Sequence, residues 1–214
     1  MSNQKALELG VIVLPPPLKK GGLPLLEALQ IRRTERNISS KEIPTSILSN
    51  LLWAALGVNR EKASFKKVGR TAPSASNSQE IDLYVLLKEG VYLYDAEHHQ
   101  LEPVLEGDYR KLSGRQYAAQ ITGGAPLNII YIANLTRYDL GPDQPDPHIG
   151  ELEVQKSYYY TDTGFIAQNV YLYAASEGLA AWFHNCDKDI IAKELSLRDD
   201  QLVLFSHTIG YPEE

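Results

Sequence analysis

Runs of apolar and alternating residues predict strands that share one buried sheet. Ile81 to Leu87 alternates apolar with polar side chains, the period of two that places one set on a core face. The letters KEG separate it from Val91 to Tyr94, which indicates a hairpin. LNIIYIAN, Leu127 to Asn134, is almost continuously apolar and predicts a central strand covered on both faces. The stretches GLAAWFHNC and QLVLFSHTIGY predict a short strand and a final strand.

Other segments carry the apolar spacing of helices. Two are predicted early in the chain, from Leu23 to about Arg33 and from Pro44 to Leu56. The longest begins with Thr161 or Asp162 as its N-cap and ends at Gly178, and its small residues are typical of a helix buried on most sides. Since helices and strands mix without regular alternation, we predict an α+β fold. A further helix is predicted around Asp108 to Gln120, and Asp187 is predicted to cap a helix that ends at Leu195.

The domain organisation is predicted to be simple. Residues 1–22 form an extended arm, because the sequence LPPPLKKGG favours polyproline geometry over helix. Residues 23–214 are predicted to form a single domain, and a chain of 214 residues is long enough for one sizeable core. The sequence LGPDQPDPHIG, Leu140 to Gly150, is predicted to be a loop.

Charge and composition narrow the functional classes. The formal net charge of −6 argues against a nucleic-acid binder, which needs a basic face. The single cysteine, Cys186, excludes an internal disulfide and a multi-thiolate metal site. No apolar run reaches the length of a membrane span, and the N-terminal apolar patch lacks the basic region and cleavage site of a signal peptide. We therefore expect a cytoplasmic protein, with a trimmed exported form left open.

Two short stretches carry candidate chemistry. RRTERN, Arg32 to Asn37, places three arginines and a threonine within five residues, which could clamp a phosphate or simply form a solvated charged face. WFHNCDK, Trp182 to Lys188, lacks the ligand spacing of a metal site, and Cys186 as a nucleophile is a weak alternative. From these residues alone, the function stays open beyond an α+β domain with an anion-binding cluster.

A series of motifs carries a resemblance to a known family. RRTER, LLWAALGVNR, RTAPSASNSQEIDLYV, FIAQNVYLYAASEGLAA and TIGYP occur in this order. That series resembles the FMN-dependent nitroreductase family, and especially its short branch related to SagB-type, or thiazoline/oxazoline, dehydrogenases. The resemblance covers nearly the whole chain from about Leu14. It implies a nitroreductase-like α+β fold, with a mainly antiparallel central sheet flanked by helices, and an intertwined homodimer with two FMN sites at its interface.

The same resemblance assigns candidate flavin-binding residues. Arg32, Arg33 and Thr34 match the group that holds the FMN phosphate and ribityl chain, and Arg36 matches the basic residue near flavin N1 and the C2 carbonyl. A fixed cation there stabilises the negative charge of reduced flavin. The loop that approaches the ring from the neighbouring subunit is matched by Pro73, Ser74, Ala75 and Asn77.

The chain departs from the family pattern at three places. Asn185 and Cys186 fall where the family presents a backbone N–H to flavin N5, often from a small residue. His184 stands where this branch often has arginine, which makes a charge contact dependent on pH. The chain shown ends in acidic residues after GYP, so phosphate binding depends on the arginine cluster, with His207 as a further candidate.

The resemblance predicts an FMN-dependent oxidoreductase that passes hydride from NAD(P)H through flavin N5 to a small organic acceptor such as a nitroaromatic, quinone or enone. The flavin performs the chemistry, so no protein side chain is assigned as catalytic. Two alternatives stay open: a SagB-like azoline dehydrogenase, and a dimeric flavin-binding or redox-sensing protein without turnover.

Overall fold

One large antiparallel sheet organises the protein. The structure is a computed structural model that describes residues 9–139, 141 and 146–213. Seven strands form the sheet in the order β1-β6-β5-β4-β7-β9-β8, and every neighbouring pair is antiparallel. The strands of this sheet are β1 Ile12–Val13, β4 Ile81–Leu86, β5 Gly90–Asp95, β6 Gln100–Glu106, β7 Leu127–Asn134, β8 Ala180–His184 and β9 Gln201–Gly210. Two further strands, β2 Val58–Arg60 and β3 Gly69–Arg70, pair with each other in a separate small sheet.

Helices cover both faces of this sheet. The core strand β7 shows why, because its alternate residues belong to two different apolar clusters. Ile129 and Tyr131 pack in the larger cluster beside the second and fourth helices, and Ile130 and Ile132 pack in a smaller cluster beside the fifth. The helices are α1 Leu25–Ile31, α2 Thr45–Leu56, α3 Ala118–Gly124, α4 Leu152–Ser176 and α5 Lys188–Glu194. The predicted α+β class and the doubly covered β7 are therefore confirmed.

The longest helix is longer than its sequence pattern predicts. Helix α4 begins at Leu152 after the N-cap Glu151, so the predicted start at Thr161 or Asp162 is wrong. Both residues are interior to the helix, where the Thr161 hydroxyl donates to the Ser157 carbonyl, 2.7 Å away. Asp162 resembles an N-cap in sequence, but its carboxylate serves a tertiary contact described below.

Several other segments differ from the sequence-based expectation. The predicted helix from Asp108 to Gln120 breaks into a short 3-10 turn, Arg110–Ser113, and the start of α3, because Gly114 between them is extended. Strands β2, β3 and β6 were also not predicted; β6 has no regular alternation of buried and exposed residues and contains Pro103. The predicted loop from Leu140 to Gly150 lies partly outside the described residues.

The described part of the N-terminal arm lies on its own domain. Ile12 and Val13 pair with Leu101 and Gln100 at the sheet edge. The Ser49 hydroxyl of α2 donates to the Pro15 carbonyl at 2.6 Å. The arm's first eight residues lie outside the described residues, and the division at residue 22 stays a prediction. Over the described residues, no helix combines the length and apolarity needed to cross a membrane.

Candidate functional site

The arginine segment follows α1 and runs alongside β8. Arg32 ends α1, and the Glu35 amide donates to the Ala181 carbonyl of β8 at 3.0 Å. The Glu35 carboxylate accepts the backbone N–H groups of Arg36 and Asn37, which lowers its pKa, and lies 3.5 Å from the Arg33 guanidinium. The segment thus has three arginines and one carboxylate, whose ion-pair partner is Arg33, and it keeps an excess of positive charge.

Tyr171 of α4 joins this segment to β8. Its hydroxyl accepts the Phe183 N–H at 2.8 Å, and its own proton can be donated to the Thr34 hydroxyl at 3.0 Å. The Arg32 guanidinium lies 5.4 Å from the centre of the Tyr171 ring, within cation–π range. One tyrosine thus holds the start of the arginine segment against the strand that leads to Cys186.

Removing only the Tyr171 hydroxyl should show how much its hydrogen bonds to Phe183 and Thr34 contribute to stability. We expect Tyr171→Phe to lower the free energy of unfolding by about 1–3 kcal/mol, because the Phe183 N–H loses its partner in a partly buried place. Chemical denaturation followed by circular dichroism checks the value. Tyr117→Phe, at an exposed tyrosine, is the control and should change stability by less than about 0.5 kcal/mol. Equal stability of the two variants would contradict the role of the hydroxyl.

The end of β8 carries a stacked group that includes Arg36 and His184. The Arg36 guanidinium lies 5.5 Å from the Trp182 ring centre, and the Trp182 and His184 ring centres are 4.3 Å apart. His184 is buried, and burial lowers its pKa, with the nearby Asn185 carbonyl opposing that shift. The neutral imidazole is therefore the favoured form at pH 7.

A chain of hydrogen bonds fixes the His184 tautomer. Asn128 donates its amide group to the Thr122 carbonyl at 2.8 Å, so its oxygen must accept the Thr208 hydroxyl proton at 2.6 Å. The Thr208 oxygen then accepts from His184 Nε2–H at 2.9 Å. His184 Nδ1 consequently faces the Asn185 carbonyl at 3.0 Å without a proton until the ring becomes charged.

Asn185 and Cys186 have different environments. Asn185 is exposed, and its side-chain oxygen accepts the Cys186 N–H at 3.0 Å. This N–H is the one that the family resemblance aims at flavin N5, so the Asn185 side chain controls its availability. The Cys186 thiol is buried, and burial raises its pKa, which disfavours it as a nucleophile.

The loop from Pro73 to Asn77 is held in a defined conformation. Ser76 and Asn77 have φ angles of 51° and 52°, the left-handed region that is uncommon outside glycine. The Asn77 side chain donates to the Ser64 carbonyl at 3.0 Å. The Ala75 N–H donates to Asp162 of α4 at 2.8 Å, and the Ser74 hydroxyl accepts the Gln79 N–H at 3.0 Å. Pro73 is exposed, so the loop presents its first residue to solvent.

The predicted site residues form two separate groups in one protomer. Arg32, Arg33, Thr34 and Arg36 lie together with His184, Asn185 and Cys186, while the loop 73–77 lies elsewhere. Tyr171 and Asp162, the α4 contacts of the two groups, are nine residues apart, or about 14 Å along the helix. A cavity of about 270 Å³ adjoins Arg33, and one of about 360 Å³ adjoins the loop.

His207 is excluded as a phosphate ligand. Its side chain is fully buried among the rings of Tyr131, Tyr171 and Phe183, and burial together with His184 lowers its pKa to about 3. A neutral, inaccessible imidazole cannot neutralise a phosphate in a surface site.

Tyr171 and Trp182 were not singled out as site residues from the sequence, because their role depends on contacts between segments that are distant in the sequence.

Comparisons with known proteins place this arrangement among nitroreductases. A model described as the nitroreductase family matches residues 29–211. A provisionally named nitroreductase of Methanocaldococcus jannaschii is 31% identical over 162 residues, which cover 72% of this chain and 75% of that protein. The crystal structure of a provisionally named nitroreductase of Ralstonia eutropha has a TM-score of 0.82 and 36% identity, covering 95% of this chain and 90% of its own.

A more distant structure supports the fold alone. The crystal structure of a provisionally named NADH oxidase of Clostridium acetobutylicum has a TM-score of 0.57 and 21% identity, and the match covers 89% of each chain. With the family match, these similarities confirm the expected nitroreductase-type fold. They leave the relation to SagB-type enzymes as a prediction.

Proposed function

This chain belongs to the nitroreductase family of oxidoreductases, and we propose that it is an FMN-dependent enzyme that takes electrons from NAD(P)H. The observation that carries this proposal is the grouping of Arg32, Thr34 and Arg36 with the His184–Cys186 strand end through Tyr171 and Trp182. The electron acceptor is a small organic molecule such as a nitroaromatic, quinone or enone.

The chemistry of the donor set fits FMN. FMN carries a phosphate on its ribityl chain and a flat aromatic ring at the other end, so it needs cations and hydroxyl donors at the phosphate and backbone N–H groups beside the ring. The arginine segment has excess positive charge, a threonine hydroxyl and an adjoining cavity of about 270 Å³. The strand end supplies the Cys186 N–H, which the exposed Asn185 side chain binds in this structure and has to release before the N–H can reach a flavin.

Each residue has a proposed task. Arg32, Arg33 and Thr34 bind the phosphate and ribityl chain, and Arg36 lies beside the N1 and C2 side of the ring, where its charge favours the reduced anion. When bound, FMN would accept hydride at N5 and deliver it to the acceptor. The strand end orients the ring, with the Cys186 N–H directed to N5, and His184 stacks on Trp182 beneath this strand end.

The remaining contacts come from a second copy of the chain. Pro73, Ser74, Ala75 and Asn77 of each subunit face the ring bound by the other, which accounts for their separation from the arginine segment within one protomer. The homodimer itself is supported by an apolar surface on α1. Its exposed apolar residues are Leu25 (62% exposed), Leu26 (78%), Leu29 (44%) and Ile31 (51%). Such a surface is typical of a subunit interface.

The visible spectrum tests the cofactor and the electron donor together. We expect the purified protein, or protein reconstituted with FMN, to be yellow and to bleach when NADH or NADPH is added without oxygen. The nucleotide that bleaches it at the lower concentration identifies the donor. Protein that binds no FMN on reconstitution refutes the proposal. Yellow protein that neither nucleotide bleaches points instead to the azoline-dehydrogenase or flavin-sequestering alternative.

Arg36 provides a sharper test of the site. Because hydrogen bonds and close contacts to charged groups contribute about 1.5–3 kcal/mol, Arg36→Ala should weaken FMN binding about 10- to 100-fold and lower the flavin reduction potential. FMN fluorescence titration and a dye-equilibration measurement check both effects. Arg198→Ala is the control, since Arg198 is exposed and pairs with Asp200. Unchanged affinity and potential in Arg36→Ala remove the role assigned to Arg36.

A further inference from the structure

The His184 ring has one nitrogen that is hydrogen-bonded and one that faces an acceptor. Its Nε2 atom lies 2.9 Å from the Thr208 hydroxyl, whose only proton goes to Asn128 at 2.6 Å. Nε2 must therefore carry the proton of the neutral ring. Its Nδ1 atom lies 3.0 Å from the Asn185 carbonyl, which can only accept. The neutral ring thus sets two lone pairs against each other, and a second proton on Nδ1 would turn this contact into a hydrogen bond.

His99 shows how a neutral histidine is satisfied elsewhere in this protein. Its Nε2 atom lies 2.8 Å from the Ser49 hydroxyl, whose proton goes to the Pro15 carbonyl, so Nε2 is the donor. Its Nδ1 atom lies 2.9 Å from the Tyr94 hydroxyl, which can donate to it. His99 therefore has no use for a second proton, whereas His184 has an acceptor in place for one.

The charges around His184 explain why this second proton is absent at pH 7. Burial lowers the pKa of His184, and no carboxylate of the described residues forms an ion pair with its ring. The Arg36 guanidinium lies 5.5 Å from the centre of the Trp182 ring that stacks on His184, which adds a positive charge nearby. His207 on β9 is neutral, since burial lowers its pKa to about 3. The hydrogen-bond partners of His184 are also neutral, so the site has an acceptor for the proton but no negative charge.

The Asn185 carbonyl and the Cys186 N–H belong to one peptide group. The carbonyl faces His184, and the N–H is bound by the Asn185 side chain at 3.0 Å. A donor on the carbonyl polarises the peptide and strengthens its N–H as a donor. A proton on His184 would therefore act on the N–H that the proposed function directs to flavin N5. This effect passes through the peptide and needs no contact between His184 and the flavin.

We propose that His184 is a positioning residue that gains a proton on Nδ1 when the flavin is reduced, and that this proton binds the Asn185 carbonyl. The hydride from NAD(P)H brings two electrons and one proton and leaves the flavin as an anion, and His184 takes one further proton from solvent. A negative charge beside the strand end favours the charged imidazole. The uptake rests on the proposed function, whereas the proton position stands on the hydrogen bonds around the ring alone.

Nitrogen NMR of protein labelled with ¹⁵N in its histidines locates the proton without flavin. At about pH 8 we expect His184 as a neutral ring protonated on Nε2, and on acidification we expect a second proton on Nδ1. His99 is the internal control and should show the same Nε2 tautomer at about pH 8. The signals are assigned by their loss in His184→Gln and His99→Gln. A neutral His184 with its proton on Nδ1 overturns the proposal, because the Asn185 carbonyl would already be bonded.

The reduction potential measured against pH counts the protons taken up with the electrons. Each proton bound with two electrons changes the equilibrium constant tenfold per pH unit, or about 30 mV. From about pH 6.5 to 8 we expect about 60 mV per pH unit in the wild type, since the flavin and His184 each take a proton. His184→Gln keeps a donor for Thr208 but cannot gain a proton, so its slope should be about 30 mV per pH unit. His148→Gln, at an exposed histidine, is the control and should keep the wild-type slope.

Each result decides one part of the proposal. A wild-type slope of about 30 mV per pH unit, or a slope that His184→Gln leaves unchanged, overturns the proton uptake. If His184→Gln does not fold, the wild-type NMR signals decide, since a His184 ring that stays neutral at pH 7 after reduction by dithionite also overturns it. Protein that binds no FMN overturns the proposed function and the uptake with it, while the tautomer of His184 still decides the proton position.

Discussion

A dimer that combines two differently disabled subunits is expected to regain one flavin site. One subunit carries Arg32→Ala and Arg36→Ala, and the other carries Ser74→Ala and Asn77→Ala. Each homodimer should bind FMN about 100-fold or more weakly, because every one of its sites lacks one half. In the mixed dimer, one site combines the intact arginine segment of one subunit with the intact loop of the other, and the second site has both defects.

This experiment follows from the separation, along α4, of the arginine segment and the loop 73–77 within one protomer. Subunits with different affinity tags can be co-expressed, and the mixed dimer purified over both tags before its flavin content is measured. We expect one tightly bound FMN per mixed dimer and none per homodimer at low FMN concentration. A mixed dimer without tight sites would mean that each site is built within one protomer, and the proposed placement of the loop would be wrong.

Parts of this architecture were predictable because they depend on local patterns. Strand β7 was predicted with its observed bounds, since an uninterrupted apolar run bounded by turn residues has few other solutions. The Asp187 cap of α5 was also confirmed, because its side chain accepts the Ile190 N–H close by in sequence. These elements need no knowledge of distant contacts.

The site was less predictable because its contacts join distant segments. Thr34 and Phe183 are joined by one hydroxyl, that of Tyr171, in a helix between them in the sequence. Asp162 is the clearest failure, since a Thr-Asp pair before an apolar run is a normal N-cap signal. The structure uses its carboxyl group to accept the Ala75 N–H of the loop instead, and no local pattern indicates that contact.

Breaking the proposed interface should have the second large effect. In a symmetric dimer, Leu26→Lys together with Leu29→Lys places four charges in the interface and removes four leucine side chains that are proposed to be buried there. Burial of a leucine contributes about 1.5–3 kcal/mol, so the loss is about 6–12 kcal/mol per dimer, an upper estimate that is large enough to dissociate it. Both leucines are exposed in the protomer, so the lysines should leave its fold intact.

Sedimentation equilibrium and FMN titration on the same samples check this prediction. We expect monomers with wild-type circular dichroism and without tightly bound FMN, because each monomer retains the arginine segment but loses the loop of its partner. Ile190→Lys is the matched control, since Ile190 is an exposed apolar residue on another short helix. A variant that stays dimeric would show that α1 is not the interface. A monomer that keeps tight FMN would show that the loop from the partner is not needed for binding.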